Sequence, residues 1–316
     1  MRPCPSALAA FLAGTQYDAW MADLYVFQLT DGLVLRYSGA NAAVTVPAAS
    51  FADPQSLNYG SAQTFLLGPR FGRSKITTQV GIQPAELDID IYVGAADMIG
   101  TFTFADAARI GLFDGATVEL DRLIGAAPGD TSLGCLTWFY GRVADCDIGR
   151  STIAMKVKSL MNLLAVQQMP RRLFAASCSH IFGDPMCGYN RVTGTAADGT
   201  TGGPARVTVT AAAGSAQSGL TLASPIAANT SDYVEGTLIG VTGANAGLTR
   251  TIASIQPDGL VVAQFKPWLY PVAIGDQFYA LPGCDHSTTG SGGCQRRNNL
   301  ARFGGFPYIP PPELAF

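Results

Sequence analysis

The sequence predicts a mainly β protein of the α+β class, and three observations carry that reading. Gly and Pro are abundant, at 36 and 19 of 316 residues. Short Val-, Thr- and Ile-rich runs alternate apolar with polar positions, and turn dipeptides such as Asp31-Gly32 and Asp114-Gly115 punctuate them. A chain this long can bury a large core and divide into two or three domains.

The elements follow in order. Ser6 to Ala13 reads as a short amphipathic helix. A signal peptide is the competing reading, but Tyr17, Asp18 and Trp20 follow without a small-residue cleavage site. Tyr25–Thr30 and Leu33–Tyr37 bracket Asp31-Gly32 as a tight hairpin whose two turn positions favour positive φ. Glu86, Asp88 and Asp90 alternate with Leu87, Ile89 and Ile91, the pattern of a half-buried strand with a solvated acidic face rather than an acid–base or calcium cluster. Thr103–Gly111 reads as a short helix with Asp106 in its early turns. A strand over 116–120, a hairpin pair over 138–143 and 152–157, and a helix over 159–168 follow.

Residues 191–219 are rich in Gly, Thr, Ala and Ser. Strands are expected at 207–210, 236–241, 249–255, 260–264 and 276–279, enough for a small barrel or sandwich. Gly240, Gly243 and Gly247 lack a following Lys-Ser/Thr, so they read as turn residues and not a phosphate loop. The closing 303–312 segment is aromatic, proline-rich and extended.

Charged residues make up 14% of the chain, and the net charge is −3. With a pI near 5.3 this is not a surface built to grip phosphates, so specific nucleic-acid binding is not expected. No apolar run is long enough to span a bilayer. The sequence holds no G-x-S-x-G, H-E-x-x-H or GKT/GKS motif, and no catalytic residue is assigned.

The richest chemistry lies in seven cysteines and two histidines. Cys178-Ser-His180 is followed by Cys187, and Cys284-Asp-His286 by Cys294, giving C-x-H-x6-C and C-x-H-x7-C. Both histidines thus take the same place relative to paired cysteines, and four soft ligands in two similar half-sites suggest one centre joining distant segments. Three chemistries stay open: an iron–sulfur cluster, a structural zinc, or disulfides Cys178–Cys187 and Cys284–Cys294. With a cluster, His180 and His286 would orient the ligands as hydrogen-bond donors rather than bind metal. Cys4, Cys135 and Cys146 lack metal-like spacing, and Cys135 and Cys146 read as buried, reduced, small hydrophobes. Cys135 and Cys146 flank an expected hairpin, and a bond between them would need an oxidising compartment.

The segment Cys178-Ser-His-Ile-Phe-Gly-Asp-Pro-Met-Cys-Gly-Tyr189, Gly283-Cys284, Cys294 and Asn299-Leu-Ala-Arg-Phe-Gly-Gly-Phe-Pro307 resemble the C-terminal part of baseplate hub (tail tip) proteins of long-tailed phages and gene transfer agents. That group is similar to the tail tip protein L of phage lambda. The early Thr-Asp-Gly hairpin, 81–90, 113–120 and the 236–247 segment agree in order, though the stretch from Tyr17 to Tyr37 departs from the family's acidic pattern.

The resemblance implies a structural virion protein at the tail tip, assembled in the host cytoplasm. It implies a homotrimeric ring between the sixfold distal tail protein and the threefold central spike or tail fibre protein, with a tail peptidase as a further partner. It also implies a 4Fe-4S cluster on Cys178, Cys187, Cys284 and Cys294, with structural zinc as the alternative. The expected organisation is a β-rich hub region at 1–170, a cluster module from 171–195 plus 283–316, and an inserted β-barrel at 196–282. From another class, a bacterial metal- or redox-binding protein with an electron-transfer role competes.

Overall fold

The computed structural model describes residues 3–14, 18–77, 83–166, 175–226, 229–290 and 292–308. The chain divides into two compact units, Met1–Gln167 and Gln168–Phe316. The expected boundary at 170/171 and the residues past 308 lie outside the described residues, as do parts of the 81–90 and 159–168 segments.

In the first unit α1 (Ser6–Leu12) precedes β1 (Trp20–Gln28), β2 (Val34–Ser38), β3 (Val44–Val46), β4 (Gln63–Leu67), β5 (Arg70–Arg73) and β6 (Glu86–Tyr92). The short pair β7 (Met98–Ile99) and β8 (Phe102–Thr103) leads into α2 (Phe104–Arg109), then β9 (Thr117–Gly125), β10 (Cys135–Ile148), β11 (Thr152–Ser159) and α3 (Met161–Val166). Nine strands form one sheet in the order β3-β4-β2-β1-β9-β10-β11-β6-β5, in which β2 and β4 pair in parallel.

This sheet curls on itself. Phe71 of the far edge strand stacks on Tyr25 of β1 with ring centroids 4.6 Å apart. Arg73 Nε reaches Asp23 Oδ2 at 2.6 Å, and Arg122 binds the other oxygen of Asp23. Phe27, Tyr37, Phe104 and Phe113 fill the enclosed side with tilted and stacked rings. Thr103 caps α2 by accepting the Asp106 N–H, which sets Phe104 into this core. The opposite face carries a second apolar layer of Ala22, Leu24, Val26, Val44, Val46, Phe51, Phe65 and Leu123. The central strands are therefore covered on both faces.

The acidic face of β6 is as its alternation predicts: Leu87, Ile89 and Ile91 are buried, while Glu86 and Asp88 are exposed opposite Lys158 and Lys156 of β11. Two expectations need correction. Only Gly32 of the Asp31-Gly32 pair has positive φ; its N–H closes a turn on Leu29, and Leu29 N–H bonds the Leu33 carbonyl. The loop is thus longer than a two-residue turn, with glycine at the bulge position. Cys135 and Cys146 do not flank a hairpin but share the single strand β10, eleven residues or ~36 Å apart. They cannot be bonded to each other.

In the second unit β12 (Val207–Thr210), β13 (Gly219–Thr221), β14 (Thr237–Gly240), β15 (Thr249–Ile255), β16 (Val261–Gln264) and β17 (Gln277–Leu281) run in the order β12-β17-β14-β15-β16-β13. An antiparallel bridge from Ala211 to Leu222 joins the two edges and closes the sheet into a barrel. Val209, Leu220, Leu238, Ile252, Val262, Trp268 and Phe278 are its buried residues. Gly243 and Gly247 hold positive φ in the loop after β14, so the spaced glycines serve turns.

Candidate cysteine centre

The barrel delivers Cys284 directly. After β17 the backbone of Gly283 passes so close to Val234 and Gly236 that no side chain fits there. Gly283 N–H bonds the Asp232 carbonyl at 3.0 Å. The two half-sites then interlock: Cys178 N–H donates to the His286 carbonyl at 2.8 Å, and His286 Nδ1 lies 3.1 Å from the Cys178 carbonyl. Asn299 is buried and donates its amide to the Cys187 carbonyl at 2.9 Å, while its own N–H bonds the Cys294 carbonyl. One residue thereby holds a cysteine from each half.

All four cysteines share one electrostatic neighbourhood. The Cys294 thiol is pushed up to about 12, first by burial and then by the nearby Cys284, Cys178 and Cys187 thiols. Burial likewise raises Cys284. Cys187, Cys284 and Cys294 are buried, and all seven cysteines are free. Three of the four sulfurs receive an N–H: Gly304 to Cys178 at 3.3 Å, His286 to Cys284 at 3.4 Å, and Asn299 Nδ2 to Cys187 at 3.5 Å.

The two histidines part company. His286 takes left-handed backbone, φ 56°, and its ring bonds the Cys178 carbonyl rather than a sulfur. Both ring nitrogens of His180 are buried and have no hydrogen-bond partner among the described residues. The His180 ring lies flat against Gly304, where an added Cβ would fall 2.6 Å from Nε2.

Sequence reasoning also missed supports around the cysteines. Asp184 accepts the Cys187 N–H at 2.6 Å, the bond chiefly responsible for holding its carboxyl below the usual range. Asp285 accepts from Ser287 and Gly292, shaping the loop between Cys284 and Cys294; those bonds lower its carboxyl against the opposing effect of burial. Arg297 is 1% exposed, donates to the Gly293 and Gly283 carbonyls, and lies over the Phe182 ring at 5.0 Å. Its cation lowers both Cys284 and Cys294. The Arg296-Arg297-Asn298-Asn299 run, one residue after Cys294, was the available signal.

Among the described residues no three His, Cys, Asp or Glu side chains are placed to hold one metal ion. Backbone and side-chain amide hydrogens are turned toward the sulfurs of Cys178, Cys187 and Cys284.

The family model described as baseplate hub protein, N-terminal attachment domain, matches residues 5–190. The chain belongs to the baseplate hub family. A second family model, phage conserved hypothetical protein BR0599, matches residues 231–313 of this hub protein. A solved structure titled virion of native gene transfer agent (GTA) particle is similar to it, with a TM-score of 0.64 at 19% identity over 99% of this chain and 96% of the other. At that identity the likeness is one of fold. No curated protein matches the sequence. Family membership makes the hub protein a structural component of the virion tail.

Proposed function

We propose that this hub protein forms a homotrimeric ring at the tail tip, between the sixfold distal tail ring and the threefold central spike or fibre protein, and has no catalytic role of its own. The match of the attachment-domain model to residues 5–190 carries this reading. A ring subunit needs heterologous side-to-side contacts, and a chain with 14% charged residues suits burial among neighbours. The exposed acids Glu86 and Asp88 face lysines across a strand, which is not the setting of a desolvated acid–base pair.

In the same reading Cys178, Cys187, Cys284 and Cys294 hold an iron–sulfur cluster, most simply 4Fe-4S. The residues fit such a group. Zinc needs four sulfurs each about 2.3 Å from one point, whereas a polynuclear cluster accepts a wider, less regular set. N–H groups directed at sulfur, and the buried Arg297 beside it, suit an anionic cluster. When bound, the cluster supplies four covalent tethers and the capacity to carry an electron. The 96 residues between Cys187 and Cys284 would then leave and return through one fixed point.

Iron and sulfide analysis with visible spectra of anaerobically purified protein tests the cluster. Cys178→Ser and Cys284→Ser should each lose most bound iron and leave the first unit folded, and undiminished iron in both would sink the ligand set. Native mass spectrometry should give a trimer, alone or with the distal tail protein; a stable monomer in both would count against the ring.

A further inference from the structure

Glu119 and Asp121 in the first unit are fully buried. They lie two residues apart on β9 and so project from one face. Their direct neighbours on β1 are Val26 and Leu24, both within the apolar layer. On the other side β10 places Tyr140 opposite Glu119 and Thr137 opposite Asp121.

The segment 53–58 covers the pair. Ser56 Oγ donates to Glu119 Oε1 at 2.5 Å, Leu57 N–H to Oε2 at 2.8 Å, and the buried Asn58 amide to Asp121 Oδ2 at 3.1 Å. Asp121 Oδ1 has no hydrogen-bond partner among the described residues. The titratable groups facing the pair are Arg36 of β2, Tyr140 and Cys135 of β10, and Asp53 of the covering segment. Arg36 is the cation of this set, and its Nε is turned to Asn58 Oδ1 at 2.9 Å rather than to a carboxylate.

Two carboxylates in such a place cannot both stay ionised, because each loses its hydration and each repels the other. Burial first, and then the Asp121 charge, pushes Glu119 up to about 8; burial also raises Asp121. We propose that the Glu119–Asp121 pair retains one shared proton at neutral pH, and that this proton keeps the 53–58 segment closed over β9 by sparing the fold two adjacent buried charges. It does so although the segment's own donors favour the ionised form. The proton belongs to the pair and not to either residue. Asp53, Pro54 and Gln55 of the same segment line a groove of about 620 Å³ with Trp138 and Tyr140. Loss of the proton therefore loosens one wall of that groove.

The direction follows from linkage. A folded carboxyl raised above its ordinary 4.5 keeps a proton that the unfolded chain has released. The lock is complete below that ordinary value, weakens as pH climbs toward 8, and is gone above it.

Infrared spectra of the whole protein should show a protonated-carboxyl band at pH 7 that titrates away with a midpoint near 8 and is moved by Glu119→Gln or Asp121→Asn. The Leu57 amide, read by hydrogen exchange and corrected for intrinsic rate, should lose protection about tenfold over the same interval. In Glu119→Gln its protection should be flat with pH. Absence of the band at pH 7, a band that neither substitution moves, or an unchanged pH profile at Leu57 in the variant would overturn the lock. If neither variant folds, wild-type band and Leu57 protection must still titrate together, and separate midpoints would refute it.

Discussion

Gly304 occupies a position where two requirements meet: its N–H points at the Cys178 sulfur, and its missing side chain makes room for the His180 ring. Gly304→Ala would place a methyl group 2.6 Å from His180 Nε2 and force one of them to move. Crowding of that kind costs about 1–3 kcal/mol. The variant should melt earlier in its second unit and hold less iron per chain than wild type, while Gly219→Ala, whose added Cβ would only reach ordinary contact with the Val262 carbonyl at 3.5 Å, should keep its iron content. Equal iron in both variants would remove Gly304 from the sulfur environment. The repeated Cys-x-His pattern was legible because residue type and spacing stand in the sequence itself. Asn299 and Gly304 were not legible as supports, because each acts on a half-site distant in sequence, through a carbonyl or sulfur that only the fold brings near, and Arg297 was not, because only the fold buries it over the Phe182 ring.

At the level of elements, strands with sustained alternation were readable: β6 and β15 fall where their sequences place them. The strands β3, β4, β5 and β13 escaped notice for a physical reason. They span three to five residues, too few to display a period, and β4 and β5 meet across Gly68-Pro69, a break that reads as loop. Helix α2 was readable through its Thr103 cap, whereas the one-residue error at Asp31-Gly32 came from the many turns compatible with that dipeptide. Gly240 illustrates how barrel and turn depend on each other. It ends β14 with its Cα against the Asn245 carbonyl, so any side chain there collides with backbone that cannot swing aside. Gly240→Ala should therefore destabilise the barrel by about 1–3 kcal/mol. Thermal unfolding should show the loss, and hydrogen exchange should confine it to 207–281. Protection unchanged across β14 and β15 would contradict that coupling.

For the whole molecule, the open question is what the aromatic end contributes to assembly. Its first part folds back on the second unit: Phe306 N–H bonds the Ala175 carbonyl at 2.8 Å, Ser179 Oγ donates to the Gly304 carbonyl, and Gly305 lies against Ser177. Its outer part is exposed, Phe306 at 44% and Tyr308 at 96%. Exposed aromatic side chains beside a fixed backbone are typical anchors of protein interfaces. Truncation before Phe303 cannot separate the two roles, because it also removes the Gly304 N–H from Cys178. Tyr308→Ala can, since it spares every backbone donor and leaves Phe306 in place. If the outer aromatic docks a neighbouring subunit or tail protein, the variant should match wild type in iron content and melting temperature. Its yield of complete tails should nevertheless fall about tenfold or more, since an interface anchor contributes about 2 kcal/mol. Full tail yield with normal iron would confine this segment to closing the cysteine centre.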